Sequence, residues 1–158
     1  MKKIALLLAL VLCFSCLAGV AVSAEPASPS QKIELVTVPM RATVSILYAI
    51  SADGYNGLDG LKLVVTKNGA DAEVAPAGIT TIGDKQYIVF QYDGLSAAEM
   101  ELEVSAYVDY NGAKGESVTY SVKTFADKYK TSGGQYVELV DAMLKYGAAV
   151  KAMLDAKA

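Results

Sequence analysis

Histidine and tryptophan are absent from this 158-residue chain, and cysteine occurs only twice, at Cys13 and Cys16. The lack of histidine excludes Ser-His and Cys-His dyads, an imidazole general base and any histidine-ligated metal. Positive charge is also short, with 14 Lys+Arg against 17 Asp+Glu. The basic footprint of a nucleic-acid binder is therefore missing. The length suits one ordinary domain rather than two.

The N-terminus carries the first positive signal. Met1-Lys2-Lys3 forms a short basic region, Ile4 to Leu12 is unbroken apolar sequence, and Val22-Ser23-Ala24 supplies small residues ahead of Glu25-Pro26. This order of charge, apolar run and small residues reads as a secretory signal over residues 1–24, cleaved after Ala24. Two alternatives stay open: an uncleaved anchor, since the apolar stretch runs loosely on to Val22, and lipidation at Cys13 or Cys16. Cleavage would leave 134 residues with no cysteine and a formal charge of −5. A domain of that size can rest on its own core without disulfides. Residues 25–32, with Pro26, Pro29 and two serines, read as a flexible spacer.

From Ile33 the apolar pattern has period two. Val44, Ile46, Tyr48 and Ile50 alternate with Thr43, Ser45, Leu47 and Ala49, and Leu61, Leu63 and Val65 follow a glycine-rich turn. Ile88, Phe90 and Tyr92 share one face, as do Leu102, Val104, Ala106, Val108 and Tyr110, then Val118, Tyr120 and Val122. Short strands at this spacing, separated by Asn-Gly and Asp-Gly turns, predict an antiparallel β-sandwich over residues 33–122. Pairing the last two strands with both apolar faces inward requires even-numbered residues to oppose even-numbered ones. That parity predicts a three- or five-residue loop after Tyr110 in place of a two-residue Asn111-Gly112 turn.

At Val122 the period changes. A short helix is expected from Lys123 to Lys130 with Ser121 as its cap, broken by Thr131-Ser132-Gly133-Gly134. Tyr136, Val140, Met143, Gly147, Val150 and Leu154 then recur at steps of four and three, with Leu139, Tyr146 and Met153 widening the stripe. This is an amphipathic helix of about 20 residues. A glycine inside such a helix costs about 1 kcal/mol against alanine, so Gly147 points to close approach by a neighbouring element. Residues 123–158 are expected to fold back on the sandwich. The alternative is a partner-facing helix that supports self-association.

Two stretches carry a family resemblance. Tyr120-Ser121-Val122-Lys123-Thr124-Phe125-Ala126 and Ala142-Met143-Leu144-Lys145-Tyr146-Gly147-Ala148-Ala149 resemble the closing strand and helix of a C-terminal module in uncharacterised secreted and surface proteins of gut-dwelling Gram-positive anaerobes. Ser96-Ala97-Ala98-Glu99-Met100 looks like the turn before that module's penultimate strand. The resemblance spans roughly residues 44–154. Lys145 stands where asparagine is usual, and Val150-Lys151 where Ala-Gln is usual. The resemblance implies secretion and a sandwich-plus-helix fold, and it implies no activity. The expected fold is thus mainly β with C-terminal α: an antiparallel immunoglobulin-like β-sandwich followed by a short and a long helix.

Candidate chemistry is sparse. Asp53, Asn56 and Asp59 sit in a glycine-bent loop and form a weak calcium candidate. Their spacing is three where calcium loops use two, and no bidentate glutamate follows, so the plain reading is a polar connection. Glu99, Glu101 and Glu103 enter a strand as an acidic cluster. Paired acids can hydrolyse glycosides, but one must be buried with a raised pKa; a solubilising strand edge is the simpler reading. Ser45 and Ser121 lie near lysines without a Ser-x-x-Lys motif. Ten tyrosines against three phenylalanines make Tyr55 and Tyr107 candidates for stacking on a sugar. Tyr48, Tyr92, Tyr110 and Tyr120 are expected at the core edge with their hydroxyls in water, and Tyr129, Tyr136 and Tyr146 are expected to pack the helices. The expectation is a non-enzymatic module without cofactor, secreted or held at the cell envelope, binding an unknown protein or glycan. It has no nucleic-acid partner and no membrane span once the signal is removed.

Overall fold

The computed structural model describes residues 28–39, 43–133 and 136–157. The expected signal at 1–24 and the first part of the spacer lie outside the described residues. Within the described residues nine strands form two antiparallel sheets: β1 (Ile33–Thr37), β2 (Ile46–Ser51), β3 (Leu61–Lys67), β4 (Ala70–Val74), β5 (Pro76–Ile82), β6 (Lys85–Tyr92), β7 (Val104–Tyr110), β8 (Ala113–Lys114) and β9 (Val118–Tyr120). Two helices follow, α1 (Val122–Thr131) and α2 (Val137–Asp155). A 3-10 turn, Ala97–Glu99, lies between β6 and β7.

One sheet has the order β1-β2-β6-β5 and the other β4-β3-β7-β8, with β9 also paired to β7. The first is the A-B-E-D order of an immunoglobulin-like sandwich. The second is its C-F-G sheet with an extra strand beside C. The residues that alternate in sequence fill the space between them: Ile46, Tyr48, Ile50, Leu63, Val65, Ile88, Phe90, Val104, Ala106 and Val108 are almost completely buried. The reversals from β3 to β4 and from β7 to β8 both use Asn-Gly with positive φ at both residues, Asn68-Gly69 and Asn111-Gly112. These are the tight turns whose twist matches that of the flanking strands.

The connection after Tyr110 differs from the parity expectation. Tyr110 pairs with Ala113, so the loop is the two-residue Asn111-Gly112 turn. Yet Ala106 pairs with Val118 and Val104 with Tyr120, even with even. The two registers are reconciled by one extra residue. The Gly115 amide donates to the Val108 carbonyl at 2.8 Å, so Glu116 and Ser117 together oppose Tyr107 alone, the arrangement of a β-bulge. Asp109 Oδ1 accepts the Gly112 amide at 2.9 Å and holds the turn shut. Parity of the buried face is kept, by a bulge downstream of the loop rather than by the loop's length.

A second irregularity shapes β1. Ile33 pairs with Ile50 and Leu35 with Ala49, so one residue of β1 is left over. Ile33 consequently points into the core, whereas Leu35 is turned out and is 39% exposed.

Ser121 caps α1 as expected: its Oγ accepts the Thr124 amide at 3.0 Å. Helix α2 reaches the sandwich through a narrow line. Val140 and Gly147 are buried, and a Cβ on Gly147 would lie 2.7 Å from the Ala97 carbonyl oxygen of the 3-10 turn. Lys130 of α1 forms an ion pair with Asp141 of α2. Among the described residues no helix is long and apolar enough to cross a membrane.

Candidate functional site

The two candidate tyrosines occupy opposite sides of the β4-β3-β7-β8 sheet. Tyr55 turns inward from the β2-β3 loop and meets Tyr110 edge-to-face, with ring centres 5.1 Å apart and planes at 76°. Its hydroxyl is buried without a hydrogen-bond partner among the described residues, and burial, with Tyr110 beside it, raises its pKa. Tyr107 stands on the outer face directly opposite Val64, which is almost fully buried. The Lys114 ammonium lies 5.0 Å from the centre of the Tyr107 ring, within cation–π range. The two rings therefore do not form one stacking platform.

The other sequence candidates are engaged locally. Asp53 Oδ2 accepts the Ser51 hydroxyl at 2.9 Å. Asn56 and Asp59 are exposed in the same loop. Among the described residues no three Asp, Glu, His or Cys side chains are grouped to hold a cation. Glu99 caps the 3-10 turn: its Oε2 accepts both the Ser96 amide and the Ser96 hydroxyl at 2.9 Å, and Lys67 Nζ lies 3.2 Å from Oε1. The Ser96 amide first, then its hydroxyl and Lys67, hold this carboxyl below the usual carboxylate range against the opposing effect of burial. Glu101 and Glu103 are exposed. Ser45 is buried beside Thr43, and Ser121 is committed to its cap.

Three expectations about the tyrosines need correction. Tyr48 is not at the core edge with its hydroxyl in water; it is fully buried, and its hydroxyl has no hydrogen-bond partner among the described residues. Tyr136 and Tyr146 do not pack the helices, being 52% and 62% exposed. Tyr129 does pack, stacking on Phe125 at 5.9 Å.

What the sequence reading missed are two apolar surfaces. The first is the outer face of β1-β2-β6-β5. A hollow of about 350 Å³ there is lined by Leu35, Leu47, Ala49, Ile79, Ile82 and Val89 among others, and no charged side chain of the described residues takes part. Ile79 and Ile82 are each more than half exposed. The outer face of the other sheet is of opposite character, crossed by Lys62–Glu73 at 2.5 Å, Thr66–Asp71 at 2.6 Å and Ser105–Ser117 at 2.9 Å. The apolar residues at Leu47, Ala49 and Val89 are legible as departures from strict alternation. Leu35 is not, because only the bulge turns it outward.

The second surface is an open groove of about 760 Å³ at one end of the sandwich. Leu139, Met143 and Tyr146 of α2 form one wall, and Val38, Val44 and Leu95 belong to the opposite side. Asp93 is the one charged side chain among the described residues lining it. Both surfaces can hold apolar groups; neither assembles a nucleophile with a base. No protein-family model, curated protein or solved structure matches the chain.

Proposed function

We propose that this protein is an exported, non-catalytic contact module acting at the bacterial envelope, and that it engages a protein partner through the outer face of its β1-β2-β6-β5 sheet. One observation carries the reading: the two outer faces of the sandwich are unlike. One is laced with ion pairs and hydroxyls, as a solvated sheet face should be. The other presents Leu35, Leu47, Ile82 and Val89, with no charged side chain of the described residues in the hollow between them. Contiguous exposed apolar surface with a polar surround marks an interaction site. The basic, apolar and small-residue order of residues 1–24 supports export.

The test is a photo-crosslinking side chain placed at Ile82, with a control at Glu73 on the other sheet, in cells that produce the protein. A discrete adduct from position 82 and none from position 73 is the expected outcome. No adduct at 82, or the same adducts at both, would remove the reading. A weak carbohydrate-binding role is the second reading, and the outward-facing Tyr107 with Lys114 across its ring is what favours it. Saturable glycan binding, abolished in Tyr107→Ala and retained in Ile82→Lys, would transfer the assignment there.

A further inference from the structure

Helix α2 is held to the sandwich on one line and left bare on the next. Leu139, Tyr146 and Met153 are 48%, 62% and 52% exposed. Their spacing of seven places them above one another every second turn, as in the seam of paired helices. Ala142 and Ala149, also exposed, lie beside them. Small side chains at that position let a second helix come close. Next around the helix come Glu138 and Lys145, both exposed and again seven residues apart. Among the described residues neither forms an ion pair, although Lys130–Asp141 and Lys151–Asp155 at neighbouring positions do.

We propose that α2 is the interface of a twofold-symmetric dimer of this chain, with the two copies of the helix antiparallel and centred at Ala142. The charges select this occupant. In an isologous antiparallel pair each flank faces the same flank of the other copy. Glu138 then meets Lys145 of the second copy and Lys145 meets its Glu138, so one axis satisfies both. The same axis sets Leu139 against Tyr146 of the second copy. These side chains enter the groove walled by Met143, Val44 and Leu95, which the isolated chain leaves open. A parallel pair would set each charged flank against the opposite, uncharged flank and leave all four charges unmatched. The contact is separate from the outer sheet face and does not depend on what that face binds.

The experiment is sedimentation of the full chain, as its host processes it, over a concentration series. The variants are Glu138→Lys, Lys145→Glu and the double swap. Each single reversal places like charges on both flanks and is expected to weaken the dimer about tenfold, whereas the double swap restores it. The sharper outcome comes from mixing. The two single variants, each weakened alone, should form a heterodimer on combination. The flank of the Glu138→Lys chain then carries two lysines and faces two glutamates on the flank of the Lys145→Glu chain. All sites are exposed, and unchanged thermal melting confirms that each variant folds. A chain that stays monomeric throughout the series overturns the proposal, as does a dimer indifferent to both single reversals, or single variants that fail to combine.

Discussion

At the centre of the sandwich Tyr48 buries its whole side chain, and its hydroxyl meets no hydrogen-bond partner among the described residues. An unpaired buried hydroxyl costs about 1–3 kcal/mol, so Tyr48→Phe should be neutral or raise the melting temperature by a few degrees. A fall of similar size would mean that the hydroxyl does have a partner. The same burial drives the Tyr48 pKa far above its ordinary value of 10.0, with Tyr92 and Tyr120 adding to the effect. A raised native pKa means the stabilising contribution is complete below about pH 10 and is lost as pH rises past it. The wild type should therefore lose stability in alkali more steeply than Tyr48→Phe, measured as melting temperature against pH. Glu99 works in the opposite sense. Its lowered pKa gives stability that is present above the ordinary carboxylate value and lost as pH falls through the native one. Glu99→Gln should cost about 1 kcal/mol at neutral pH, from the cap and the Lys67 pair together. That difference should shrink in acid, read from denaturant midpoints at the two pH values.

Elements are legible in sequence in proportion to how much of them is buried. The strands β2, β3, β6 and β7 can be read because alternate residues face the core. Strands β4 and β5 have no fully buried residue; their sequences lack the period that burial imposes, and nothing in them announces a strand. Both lie at sheet edges. Helix α2 is legible from its stripe, but the stripe is wider than the surface that docks. Gly147 marks the docked line, since the Ala97 carbonyl oxygen occupies the space a Cβ would need. Two effects compete in Gly147→Ala: a gain of about 1 kcal/mol in helix propensity and an overpacking penalty of about 1–3 kcal/mol. Contact with backbone rather than with a flexible side chain lets the second prevail. The variant should be net destabilised, with earlier amide exchange in α2 than in the wild type. A more stable Gly147→Ala protein would show that the 3-10 turn can yield.

For the whole molecule, the core lies between the sheets, while α1 attaches at one end through buried Val122 and Ala126, α2 through Val140 and Gly147, and the Lys130–Asp141 pair ties the two helices to each other. Regions with few buried contacts open first. Native-state hydrogen exchange should therefore release the amides of α2 at lower denaturant than those of β2, β3, β6 and β7. Simultaneous release would mean that sandwich and helices form one cooperative unit. The asymmetry between the outer faces is also a property of the whole molecule. Leu47, Ala49 and Val89 come from strands far apart in sequence and become one surface only through the pairings of β2 with β1 and β6.

Sequence alone determined the fold class, the parity of each central strand, the cap of α1 and the close approach at Gly147. Each of these is governed by local chemistry or by whether alternate residues must leave water. Tertiary structure alone decided the Asn111-Gly112 turn with its compensating bulge, the outward rotation of Leu35, the full burial of Tyr48 down to its hydroxyl, and which side of the α2 stripe stays exposed. An inserted residue shifts register without altering composition, and exposure of a helix face depends on what packs against it. Apolar residues record only that they avoid water; the sandwich determines whether its own core covers them or a partner must.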